Sequence, residues 1–131
     1  MGIHSIESAN SMLPLLKSIT KDVIRIWDKI TEQRKIMEEQ EAKGIDTQDS
    51  KTILNEHIDN INGYIKEIEA LGCFIEEFKS GIINIPSLLS GRKIFFTVMP
   101  LEEDVITYWH EIDEINSDKK LIGNLKVLKE K

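Results

Sequence analysis

Between Ala9 and Met37, apolar or neutral side chains return every three or four residues: Ala9, Met12, Leu16, Ile19, Val23, Ile26, Ile30, Gln33 and Met37. An α-helix completes a turn in about 3.6 residues, so this spacing gathers them into one seam along a single helix. A lone helix cannot hide such a seam from water. Whatever else the chain contains must pack against this stretch. Leu13, Ile24, Trp27 and Ile36 lie beside the seam and widen it, which predicts two packing partners rather than one.

The helix begins at a good capping residue, Ser5, with Glu7 in the first turn, where the positive end of the helix dipole favours it. Pro14 removes one backbone donor, so the expectation is a short lead-in followed by a long helix reaching about Ala42. Lys43 to Ser50 (KGIDTQDS) is a polar break, with Gly44 as a stop and Asp49 or Ser50 as a cap. A second seam follows at Leu54, Ile58, Ile61, Ile65 and Ile68, and Gly72 closes it. Two helices joined by so short a link form an antiparallel hairpin over residues 5–71.

After Gly72 the period changes. Cys73 to Phe78 has strand composition, Lys79-Ser80-Gly81 reads as a turn, and Ile82 to Ile85 reads as a return strand ended by Pro86. Ser90-Gly91 marks a second turn before Lys93 to Met99 (KIFFTVM), which has the strongest strand character in the chain. Beyond Pro100, Glu102-Glu103-Asp104 suit a helix start, and Val105, Tyr108 or Trp109, and Ile112 fit helical spacing, although VITYW would also suit a strand. Leu121, Leu125 and Leu128 in the tail also stand at helical spacing. The fold expected is therefore mainly α, of the α+β kind. It is one domain over residues 1–131: a long antiparallel helical hairpin, a small three-stranded antiparallel sheet and a short C-terminal helix.

Composition narrows the function classes. A net charge of −6 and a pI near 5.1 disfavour general nucleic-acid binding, which requires cations to displace phosphate counterions. Lys17, Lys21, Arg25 and Lys29 do follow one another on one helix face. They suggest a phosphate strip, and through it a ribosome- or RNA-associated factor. Asp22, Asp28 and Glu32 beside them favour an ordinary solvated surface. No apolar run is long enough for a membrane span, and no basic start followed by an apolar run marks a signal peptide. The single cysteine, Cys73, rules out an intrachain disulfide and fits a reducing cytoplasm. The leaning towards Ile, Lys and Glu fits either an AT-rich genome or growth at high temperature. Phosphate-cradling glycine loops, nucleophile elbows and paired-cysteine zinc patterns are absent, and no cofactor is expected.

One group of side chains has chemical potential. His110 stands near Glu103, Asp104, Glu111, Asp113 and Glu114 in sequence. Glu103, His110 and Glu111 are the candidates for acid–base work. On a helix, His110 and Glu114 would share a face and could hold a divalent metal with Glu103. Cys73 reads as buried filler, His4 and His57 as isolated surface residues, and Arg92 as half of an ion pair with Glu103 or Glu111.

Several motifs resemble an uncharacterised prokaryotic family, domain of unknown function 2203. They are Gly72-Cys73, Gly81-Ile82-Ile83-Asn84-Ile85-Pro86, Gly91-Arg92-Lys93-Ile94, Glu103 and Tyr108-Trp109-His110-Glu111. The opening Ser5-Ile6-Glu7-Ser8-Ala9-Asn10 with Leu13-Pro14-Leu15-Leu16 is similar to the family's start. The chain departs from it at Asn84-Ile85, where the family prefers Asp-Phe, at Met99, where it often has Trp, and at Glu102, which replaces a glycine. The family's Gly-Phe and Gly-Arg-Arg-Pro-like run is met only by Ile115-Asn116 and Asp118 to Leu121. The resemblance implies a shape and a residue cluster but no reaction.

The function expected is a non-enzymatic interaction or scaffold protein, self-associating as a homodimer through its hairpin, with Ile24, Trp27 and Ile36 at the interface. The alternative is a small metal-binding protein or enzyme built on His110 and neighbouring carboxylates.

Overall fold

The computed structural model describes residues 3–111 and 120–121. Helix α1 (Ile6–Ala42) and helix α2 (Gln48–Ala70) form the hairpin. Five strands follow: β1 (Phe74–Glu77), β2 (Ile82–Leu89), β3 (Arg92–Val98), β4 (Tyr108–Glu111) and the two-residue β5 (Lys120–Leu121). They pair antiparallel in chain order, so each neighbour in sequence is also a neighbour in space.

The seam on α1 is real. Ala9, Leu16, Ile19, Val23, Ile26 and Ile30 are buried, together with the flanking Leu13 and Thr20. From α2, Ile61 and Ile68 are buried, and Leu54, Ile58 and Ile65 pack partly against the same core. Ser5 caps α1 by accepting from Ser8 N at 3.0 Å. Pro14 lies inside α1 without ending it, so the expected break into a lead-in and a main helix does not occur. Ala9, Leu13 and Leu16 are all buried around it, and this packing holds the helical path where one hydrogen bond is missing. Gly44 takes the positive φ of a helix stop. The second helix starts from Thr47 rather than Asp49 or Ser50, and Ser50 Oγ instead donates across the hairpin to Gln40 Oε1 at 2.5 Å.

The sheet corrects three expectations. It has four strands plus β5, not three. Pro86 does not end its strand: β2 runs on to Leu89, with Pro86 opposite Phe95. The strand tolerates it because β1 pairs with β2 only up to Asn84. Beyond that point the β1 side of β2 is an edge, and there His4 N donates to Pro86 O at 2.8 Å. The residue without an N–H thus turns its nitrogen to the edge rather than to β3. Third, there is no helix over Val105 to Trp109. Val105 is exposed, Ile106 is buried, and Tyr108–Glu111 is strand β4. The outer edge of β3 needs a partner, and Trp109 opposite Phe96 supplies one while burying its ring on the core side. The acidic segment before it is a turn, in which Glu103 N bonds Met99 O and Glu103 Oε1 accepts from Met99 N, both near 2.8–2.9 Å. Leu121, expected at helical spacing, pairs in β5 opposite Tyr108; Ile112, Leu125 and Leu128 lie outside the described residues.

Alternation sorts the sheet into two faces. Ile83, Ile85, Leu89, Ile94, Phe96, Val98 and Trp109 face the helices and are buried. Phe74, Asn84, Pro86, Lys93, Phe95, Thr97 and His110 take the opposite face. The second partner of α1 is the β1–β2 turn. Gly81, at φ +73°, sits so close to α1 that an added Cβ would lie 2.5 Å from Thr20 Cγ2 and 2.9 Å from Ile24 Cδ1. Trp27 stacks on Phe78 beside it, with ring centroids 5.1 Å apart. Ser90 and Gly91, both at positive φ, form the two-residue turn between β2 and β3.

Candidate functional site

The outer face of the sheet carries the polar cluster. Register places Phe95 beside His110 and Thr97 beside Asn84, so the His110 imidazole reaches diagonally across β3 towards β2. It is 2% exposed, with Phe95 tilted against it at 5.6 Å. Its Nδ1 stands 2.8 Å from the carbonyl of Glu111, and its Nε2 stands 3.3 Å from Asn84 Oδ1 and 3.9 Å from Glu76 Oε1. Asn84 Nδ2 donates to Glu76 Oε1 at 2.8 Å. A carbonyl only accepts, so Nδ1 carries a proton and Nε2 is the atom turned to Asn84 and Glu76. A β-bulge in β1 leaves Glu76 without an opposite residue in the ladder: Ile75 faces Ile83 and Glu77 already faces Ile82. Bulges re-aim side chains, and here the bulged residue is the one that completes the cluster.

The expected constellation assembles only in part. Glu111 is next to His110, but its carboxylate is taken by Arg92 in a two-pronged bond, Nε to Oε1 and Nη2 to Oε2, each 2.9 Å. That is the Arg92 ion pair expected with Glu103 or Glu111. Glu103 instead caps its own turn through Met99 N and, with Asp104, lines a small recess against Leu13, Pro14 and Lys17. Glu114 and Asp113 lie outside the described residues. Glu76 and Asn84, the actual partners of His110, are the residues that sequence reading missed. Asn84 had a visible signal, an amide inside the otherwise apolar run Ile82-Ile83-Asn84-Ile85. Glu76 had none, since its part depends on the bulge.

His4 corrects another expectation, because it is no isolated surface residue. Its Nε2 donates to Leu71 O at 2.8 Å, its Nδ1 meets Ser8 Oγ at 2.9 Å, and its carbonyl accepts from Ser87 Oγ at 2.6 Å. Together with the bond to Pro86 it ties the start of α1 to the end of α2 and to β2. Beside this tie a cleft of about 820 Å³ opens, lined by Ile3, His4, Leu71, Phe74, Pro86 and Lys93. His57 is half-buried on α2. Cys73 is fully buried, and burial pushes its thiol up to about 12, so it holds no thiolate near neutral pH.

These elements match the family model described as an uncharacterised conserved protein (DUF2203) over residues 3–122. The chain belongs to that family. The match spans both helices and the whole described sheet, so the outer-face cluster lies within the DUF2203 region. No curated protein and no solved structure matches the chain. No helix among the described residues is long and apolar enough to cross a membrane.

Proposed function

We propose that this DUF2203 chain is a non-enzymatic interaction protein that pairs with a second copy of itself through the exposed face of α1. The expected interface residues divide on the helix. Ile24 and Trp27 are half-buried against the β1–β2 turn, whereas Ile36 is 39% exposed. At about 100° per residue, Ile36 lies about 180° from Trp27, so it belongs to another face. That face carries Lys21, Arg25 and Lys29, with Lys17 and Lys35 at its margin and Asp22 bonded to Arg25 at 3.3 Å, and further along it Glu32 and Glu39 flank Ile36.

This change of charge along one stripe is the observation that carries the proposal. Turned antiparallel, two copies set the basic half of each α1 against Glu32 and Glu39 of the other, with both Ile36 side chains enclosed. Such a contact is self-complementary about a two-fold axis. Sedimentation equilibrium should show a dimer that loosens with added salt, as a charged interface must. Ile36→Glu and Arg25→Glu should each shift it to monomer while leaving the helical circular dichroism unchanged. A monodisperse monomer at the highest soluble concentration would refute the pairing.

A further inference from the structure

Three oxygen or nitrogen acceptors meet at one point on the outer sheet face. Once Nδ1 of His110 is committed as a donor to the Glu111 carbonyl, Nε2 presents a lone pair. Facing it are Asn84 Oδ1 at 3.3 Å and Glu76 Oε1 at 3.9 Å, neither of which has a proton to give. Reversing the Asn84 amide would remove the first conflict only by breaking its 2.8 Å donation to Glu76. Lone pairs aimed at one another repel, so the arrangement calls for a positive charge between them, either a proton on Nε2 or a metal ion held by all three atoms.

We propose that His110 Nε2, Glu76 Oε1 and Asn84 Oδ1 form a site for a divalent transition-metal ion. Among the described residues no three His, Cys, Asp or Glu side chains form such a group, so the third donor is the amide oxygen. Around an ion bound at about 2.0–2.2 Å, neighbouring donors stand roughly 3.0–3.5 Å apart. The His110–Asn84 separation already falls in that range, and the exposed Glu76 side chain closes the rest by moving about half an ångström. The imidazole shows the outer-sphere support common to metal-bound histidines: its second nitrogen is anchored to a carbonyl, which fixes the ring and points Nε2 at the ion. Mixed imidazole and oxygen donors suit zinc, cobalt or nickel better than calcium or magnesium. Water would fill the remaining coordination positions.

The competing occupant is a proton on Nε2, and the experiment separates the two. Protein stripped with chelator is titrated with Co²⁺ and then Zn²⁺, following the cobalt d–d absorption and the heat of binding, with the imidazole ¹⁵N signals recorded in parallel. The expected result is one Co²⁺ per chain, displaced by Zn²⁺, with the His110 Nε2 signal shifting on binding. Glu76→Gln should weaken binding about tenfold or more. Asn84→Asp, which exchanges an amide for a carboxylate of the same shape, should tighten it. Both variants sit at exposed or half-buried positions, so neither depends on replacing the buried imidazole. Absence of saturable binding, equal affinity in all three proteins, or an Nε2 proton that persists through the titration would each overturn the proposal.

Discussion

The two halves of the hairpin share a seam but not a fate. From Ala9 to Ile30, α1 buries eight side chains against α2, the sheet and the β1–β2 turn. From Thr31 to Asn60 the two helices and the link between them bury one residue, Ser50, and leave Ile36, Ile45 and Ile53 about 40–50% exposed. Helical periodicity is nearly the same in both halves: Gln33 and Met37 continue the seam, and Leu54 and Ile58 continue its mate. What differs is the third layer. Two helices alone can half-cover a stripe, and only the sheet completes the enclosure. A regular pattern therefore announces a helix without announcing how deeply it is buried.

The largest expected effect tests the enclosed half. Phe96, on β3, is fully buried and faces the helices. Phe96→Ala should lower stability by about 3–5 kcal/mol in chemical unfolding, whereas Ile53→Ala in the distal half should cost less than about 1 kcal/mol. Equal losses at the two sites would mean that the distal half is covered as well.

The next effect probes the seat of the third layer. Gly81→Ala would place a Cβ against Thr20 and Ile24 and impose a left-handed backbone on a residue that resists it. Strain of about 1–2 kcal/mol adds to overpacking of about 1–3 kcal/mol. Gly44→Ala, at the distal turn, has the same sign of φ but nothing within 4 Å, so only the strain should appear in its unfolding curve.

The smallest effect depends on pH. The Cys73 thiol has an ordinary value of 9.0 and is pushed up to about 12 by burial in the enclosed core. Above pH 9 the unfolded chain gives up this proton while the folded chain keeps it. The unfolded state then binds fewer protons, so stability falls as pH rises, at about 1.4 kcal/mol per unit within the window from 9 to about 12. Unfolding measured at pH 8, 9.5 and 10.5 should show this slope, and Cys73→Ala should remove it. A slope that survives the substitution would assign it to another group.

The candidate site shows where local reading stops. His110 stands out in the sequence, and Arg92 with Glu111 is a pair that side-chain chemistry alone proposes. Nearness along the chain and helical spacing over residues 105–112, however, point His110 to Glu103, Glu111 and Glu114. Strand alternation replaces the i,i+4 neighbour with residues on other strands, so Asn84, 26 positions away, takes the place expected of Glu114.

Both helices, the capping role of Ser5, the stops at Gly44 and Gly72, the Ser90-Gly91 turn and the strand character of β3 are legible in the chain before it folds. Each of these rests on spacing or on the backbone preferences of single residues. Tertiary structure alone decided the continuity of α1 through Pro14, the passage of β2 through Pro86 and the choice of strand over helix at Tyr108–Glu111. In all three cases a weak or contrary local preference yields to a neighbour: buried seam residues around Pro14, an open edge beside Pro86, and an unpaired β3 seeking a partner. Local preferences amount to about 1 kcal/mol per residue, apart from the larger penalty of proline within a helix. Burying Trp109 and pairing the β3 edge together outweigh them, and neither can be seen until the chain has folded back on itself.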